Sequence, residues 1–231
     1  MKYKFLPFVL FFLFSFTTTN KINSLYSKTN ATSVLSKEIE AESLYHKLNC
    51  NEFELPNLNC FTEAITGFYE LKQKGLIEKD IITLIDFSLS SNVKRLWIID
   101  LATNSVLMNT FVAHGMNTGE EFATSFSNAT SSFKSSLGFY STGEIYTGKH
   151  GLSLKLDGLE KGVNDNARER GIVMHAADYV STSFIKNNNR LGRSQGCPAI
   201  PEELTPQIIQ MIKNKSCLFI YHPSRTTSSK V

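Results

Sequence analysis

From Ile81 onward the sequence breaks into short apolar runs, "IITLIDFSLSS", "KRLWIIDL" and "SVLMNTFVAHG", separated by Ser91-Asn92 and by Thr103-Asn104-Ser105. Runs of this length, rich in Ile, Val, Leu, Phe and Trp and bounded by small polar residues, predict strands, and the short breaks predict antiparallel neighbours joined by tight turns. "GEIYTGK", "LSLKLDGL", "GIVMH" and "SCLFIYH" continue the pattern. "PEELTPQIIQMIKNK", beginning at Pro201, predicts a helix: proline and acidic residues open it and lysines close it, as the macrodipole favours. The body from about residue 80 to 223 is expected to be mainly β, a β-rich α+β arrangement with short helices.

A chain of 231 residues that is 42% hydrophobic and 19% charged can bury one good core and a small accessory unit. Its 24 Lys and Arg against 21 Asp and Glu leave a net charge of +3, too slight a surplus to argue for a nucleic-acid partner. Ahead of the body, Ile39, Leu44, Tyr45 and Leu48 share one helical spacing, and Phe61, Ile65, Phe68 and Leu71 share another, with Asn59 as cap and Gly75 as stop. A helical lead-in over 37–79 is expected, preceded by a flexible linker over 23–36 and matched by a disordered tail over 224–231. Lys2 and Lys4 before the apolar run Phe5 to Phe14 predict a signal peptide over 1–22 and hence export. That run is too brief to span a bilayer comfortably. Membrane association is expected only through an uncleaved signal anchor, which stays open along with the cleavage point.

The candidates for chemistry are His46, His114, His150, His175 and His222 with Cys50, Cys60, Cys197 and Cys217. They show no CxxC or HExxH spacing, so neither a metal nor a cofactor is expected. G-x-S-x-G and P-loop patterns are absent too. Cys217 opens an apolar strand and reads as a small buried hydrophobe. Cys50 and Cys60 flank Pro56, where a disulfide staple is left open. Cys197 differs, because in "GRSQGCPAIP" it stands between Gly196 and Pro198 in a polar turn that leaves a thiol within reach. An unassisted thiol is mostly protonated at neutral pH and needs an imidazole or a helix N-terminus beside it. His175, which ends "GIVMH" and precedes the small Ala176 and Ala177, is the best partner.

"HAADYVS" followed by "GRSQGCPAIP" resembles the histidine-then-S-x-G-C arrangement of the L,D-transpeptidases that cross-link murein. Upstream, "VAHGMNTG", "FSNATSSFKSSLGFY", "GEIYTGKHGLSLKLDGLE" and "NARERGIVMHAADYV" are similar to the murein L,D-transpeptidase catalytic-domain family, over about Ile82 to His222. The resemblance implies an L,D-transpeptidase-like mixed β-sandwich, a periplasmic or cell-envelope address and peptidoglycan stem peptides as partners. It implies Cys197 as nucleophile, His175 as base, and backbone N–H groups of Gly196 and Cys197 as donors to the oxyanion. Ser194 would hydrogen-bond the imidazole or hold the turn. Gln195 stands where many relatives carry histidine and cannot serve as a base; with Arg193, Tyr140 and His150 it is assigned to the substrate. Arg193 and Arg190 suit stem carboxylates or a solvated loop face, Tyr140 and His150 suit a pocket or strand packing, and His114 suits support of a Gly-rich turn. The acceptor and the oligomeric state stay open.

Overall fold

The computed structural model describes residues 36–225. The expected signal peptide, the linker up to residue 35 and residues 226–231 of the expected tail lie outside the described residues. One folded unit starts at Glu38. Its strands are β1 (Ile81–Asp86), β2 (Leu96–Asp100), β3 (Ser105–Thr110), β4 (Gly138–Gly148), β5 (Gly151–Gly158), β6 (Val173–Ala176), β7 (Ala199–Ile200) and β8 (Cys217–Tyr221). They join in one mixed sheet, in the order β3-β2-β1-β8-β4-β5-β6-β7. The fold is mainly β, as expected. β1, β2 and β3 pair antiparallel in sequence order, with Ile82 opposite Ile99 and Ile98 opposite Met108. β8, last in the sequence, inserts between β1 and β4 and runs parallel to β1. Its unbroken apolar run follows from that place, because a strand covered on both faces needs no polar alternation.

Side chains alternate across the sheet. Ile82, Leu84, Cys217 and Phe219 belong to one core, and Ile85, Leu218 and Ile220 to the other. The first core is covered by α1 (residues 36–46) and α2 (Leu58–Gln73), which buries Phe61, Ala64, Ile65, Phe68 and Leu71 at helical spacing. Burying each large side chain among these contributes about 1.5–3 kcal/mol. The helix starts earlier than the sequence pattern suggests: its cap is Asn57, whose side chain accepts the Asn59 N–H at 2.8 Å. The stop is Gly75, at φ +70. There Gly75 N–H donates to Lys72 O and Leu76 N–H to Leu71 O, the closure that favours glycine at this position. Cys60 lies on the buried face of α2 and Cys50 beyond α1, and both are free thiols. No disulfide staples this segment.

The second core is covered by α4 (Thr205–Ile212) through Ile208, Ile209 and Ile212, and by the sheet itself. Past β3, isolated bridges join Ala113 to Ala199 and Gly115 to Ser194. The two margins of the sheet therefore meet, and the expected sandwich is realised as one sheet curled around its core. This closure also fastens the Ser194–Cys197 turn to the segment that follows β3. Short helix α3 (Thr182–Asn188), capped by Ser181, fills the connection from β6 to that turn. At the other end, Arg225 pairs with Glu63 and with Glu160 at 2.7 Å, and its guanidinium lies over the rings of Phe139 and Phe219. Of the expected tail, Ser224 and Arg225 are described, and these contacts tie Arg225 to the folded body.

Candidate active site

β6 and β7 run parallel, with His175 opposite Ala199 and Ala176 opposite Ile200. Cys197 precedes Ala199 by two residues, so it comes level with Val173, whose N–H donates to the sulfur at 3.5 Å. The thiol points to Gly171 O at 3.8 Å. Among the hydrogen bonds of the described residues, none joins the sulfur to the imidazole. Ideal strand spacing puts residues two positions along and one strand across about 8 Å apart at Cα. Sequence-distant Cys197 and His175 therefore share one edge of the sheet.

His175 is buried, at 3% exposure, and its Nδ1 lies 2.8 Å from Ala176 O. A carbonyl only accepts, so Nδ1 carries the hydrogen and Nε2 keeps its lone pair. Burial pushes the His175 pKa below its usual value, and neighbouring His150 adds to this against the opposing Ala176 bond. Burial pushes the Cys197 thiol up, while the Val173 N–H and the Arg170 guanidinium draw it back. At neutral pH the two groups rest as thiol and imidazole. That is the state in which a base can take the proton as the sulfur attacks.

The turn is held by Ser194. Its hydroxyl donates to Cys197 O at 2.6 Å and accepts the Gly196 N–H at 3.1 Å. Of the two amides expected to face an oxyanion, that of Gly196 is thus occupied, while the Cys197 N–H has no partner among the described residues. Gly196 sits at φ +118, and a Cβ there would lie 2.9 Å from Lys134 O. Ser194 N–H donates to His114 O, and Met116 N–H to Ser194 O. His114 is buried, its Nδ1 accepting from Arg95 at 2.8 Å and its Nε2 3.2 Å from Gly119 O. Burial, with Arg95 next in size, brings its pKa down to about 4, so it stays neutral and braces the turn.

A match to the L,D-transpeptidase catalytic domain covers residues 54–221. The chain belongs to the L,D-transpeptidase catalytic domain family. The match takes in α2, which the sequence pattern alone sets apart as a lead-in. No curated protein matches the chain. Among solved structures it is similar to an L,D-transpeptidase from Mycobacterium smegmatis, at 8% identity over 62% of this chain and 59% of that one, with a TM-score of 0.39. It is also similar to a helical cell shape determining protein from Campylobacter jejuni, at 13% identity over 69% and 55%, TM-score 0.41. A third, the L,D-transpeptidase from Stackebrandtia nassauensis, gives 10% identity over 73% and 68%, TM-score 0.37. The chain spans about three fifths of the length of the first of these, 59%.

The remaining candidates of this family member divide. His150, in the β4–β5 turn, is exposed and stacks on His175. Gln195 is exposed at the tip of the cysteine turn. Arg193 pairs with Glu120 at 2.6 Å and donates to Met116 O and Gly119 O, and Arg190 takes the other Glu120 oxygen at 3.0 Å. Both guanidiniums are engaged within the protein. Tyr140 does not reach a pocket: it is 1% exposed in the core, its hydroxyl donating to Ser136 O. Its partner across the ladder is Leu218 of β8, and both side chains fall on the same face of the sheet, in the second core. Two residues near the thiol escaped the sequence reading, Arg170 and Tyr179. Tyr179 is half-buried, and burial, with the charges of Cys197 and Asp178 adding, pushes it up to about 12. Both lie in the stretch "NARERGIVMHAADYV" that carries the family resemblance, but its pattern gives them no role, and only the fold carries them to Cys197.

Proposed function

We propose that this chain is an exported cysteine L,D-transpeptidase that acts on peptidoglycan stem tetrapeptides through a thioester at Cys197. The observation that supports it most is the sheet edge itself, where β6 carries His175 and the half-buried Cys197 lies two residues before β7, the strand paired parallel to β6. Resting contacts of this kind are often long and tighten only with substrate bound. In the reaction, His175 Nε2 takes the Sγ proton while sulfur attacks the carbonyl of the third stem residue. The tetrahedral oxyanion is met by the open Cys197 N–H. Collapse breaks the peptide bond, and the protonated His175 gives its proton to the departing D-alanine. An acceptor amine then attacks the thioester, loses a proton to His175 and releases the thiol. Amine gives a cross-link; water gives an L,D-carboxypeptidase.

Export rests on Lys2, Lys4 and the apolar run that follows them. Among the described residues no helix is long and apolar enough to cross a membrane. The test is incubation of the purified protein with defined tetrapeptide muropeptides, followed by mass analysis. A cross-linked dimer supports transfer and a trimmed tripeptide supports hydrolysis. Unchanged peptides would leave a wall-binding protein that keeps the fold without turnover.

A further inference from the structure

Arg170 lies three residues before the start of β6, and its guanidinium is committed to one stretch of chain. Nη1 donates to Ser127 O at 2.9 Å and to Ser136 Oγ at 2.5 Å. Nη2 donates to Lys134 O at 2.6 Å and to Ser132 Oγ at 3.3 Å. Within that stretch Ser131 and Phe133 both take positive φ, +56 and +53, a region disfavoured for side chains with a Cβ and most of all for bulky ones. Such a backbone persists only where its surroundings hold it, and the Arg170 fork does so. The stretch also lies against the cysteine turn. Ser135 Oγ donates to Gly196 O at 3.2 Å, and Arg170 Nη2 itself lies 3.3 Å from the point a Gly196 Cβ would occupy.

We propose that Arg170 is a positioning residue for Cys197: it fastens residues 127–136 onto the Gly196–Cys197 turn and fixes a positive charge beside it, easing formation of the thiolate. This rests on Cys197 being the nucleophile. The charge is permanent, since a guanidinium starts so far above neutrality that partial burial leaves it protonated. Charge and sulfur act on each other, Arg170 drawing the thiol pKa down and Cys197 drawing the arginine up. Burial opposes this at the thiol and is the larger effect. Arg170 therefore assists His175 in removing the proton and does not ionise the sulfur by itself.

The test follows Cys197 alkylation by iodoacetamide as a function of pH, read by peptide mass, in the wild type, Arg170→Gln and Arg170→Lys. Arg170→Gln is expected to move the alkylation midpoint up and slow the neutral-pH rate by about 3- to 10-fold, one pKa unit being tenfold in thiolate. Arg170→Lys, which keeps the charge, should recover most of that rate. A glutamine variant with the wild-type midpoint and rate overturns the proposal, whatever its melting temperature. A second measurement needs no variant: anionic iodoacetate should be favoured over neutral iodoacetamide several-fold more at Cys197 than at Cys50, and added salt should shrink that preference. Equal preference at both cysteines, unmoved by salt, would overturn the idea even if the glutamine variant does not fold. Failure of wild-type Cys197 to react ahead of Cys60 and Cys217 is a different result, which removes the nucleophile reading itself.

Discussion

The imidazole of His150 stacks on that of His175, ring centroids 4.4 Å apart and planes 25° from parallel. One ring is exposed on a hairpin turn and the other is buried against the sheet edge. A base must be neutral to accept the thiol proton, so activity should fall as pH drops through the pKa of His175. Burial and His150 both lower that pKa, which puts the acid limb of the kcat/KM profile below the ordinary histidine value of 6.5. His150→Ala removes one of the two causes. The acid limb should then move to higher pH, whatever the height of the plateau, and an unmoved limb would show that the stack does not tune the base.

The four cysteines should differ sharply in reactivity. Burial raises the thiol pKa of Cys217 and Cys60, and both are fully inaccessible. Cys197 is only half-buried and is helped by the Val173 N–H and Arg170. In native protein, iodoacetamide should modify Cys197 long before Cys60 or Cys217. Cys197→Ala should abolish turnover on tetrapeptide muropeptides, since no other thiol is near His175 on the β6–β7 edge. Its melting temperature should stay within a few degrees of wild type, because the sulfur fills no deep core site.

Ser194 is expected to matter for geometry. Ser194→Ala leaves Cys197 O without its donor and Gly196 N–H without its acceptor. Losing the partner of a buried polar group costs about 1–3 kcal/mol, and here the cost falls on the turn that aims the nucleophile. Chemical denaturation should register a loss of that order, with kcat reduced more than KM is changed. Ser194→Thr, which keeps the hydroxyl, should restore most of the activity. If alanine leaves kcat unaltered, the turn is held by other bonds.

The strands other than β7 were legible because each is an apolar run bounded by small polar or glycine residues, whereas β7 is two residues between Pro198 and Pro201, too short to show a period. Their order was less so. Nothing in "SCLFIYH" says that the last strand lies at the centre beside β1, and its apolarity on both faces is the one trace of that place. For the same reason Cys197 and His175 could be matched by type and motif but not by register, which puts Cys197 level with Val173. Tyr140 was misplaced because a tyrosine near a glycine-rich turn reads alike whether it faces in or out. Arg170 stands in "NARERGIVMHAADYV" with nothing there to mark its role: its partners are two serine hydroxyls and two backbone carbonyls between Ser127 and Ser136, whose nearness depends on two residues with positive φ. Short motifs report chemistry. Register and loop conformation, which come from long-range pairing, report where the chemistry meets.

Gly196→Ala tests whether this turn is the reaction site. At φ +118 an alanine is strained whatever its surroundings, and its Cβ would meet Lys134 O at 2.9 Å and Ile172 Cδ1 at 3.2 Å. The backbone carbonyl cannot step aside freely, because Arg170 holds it at 2.6 Å. Strained backbone of this kind costs about 1–3 kcal/mol, and relief requires the turn to shift, taking the Cys197 N–H and sulfur with it. Gly75→Ala is the control: its φ is +70, but a Cβ there meets nothing within 4 Å, and it caps a helix away from the sheet edge. Both variants should lose stability in a thermal melt. Only Gly196→Ala should also lose turnover, by the ten- to thousandfold that displacing one oxyanion donor and a nucleophile produces in about 1.4–4 kcal/mol of barrier. Equal activity in the two variants would mean that the chemistry does not take place at Cys197.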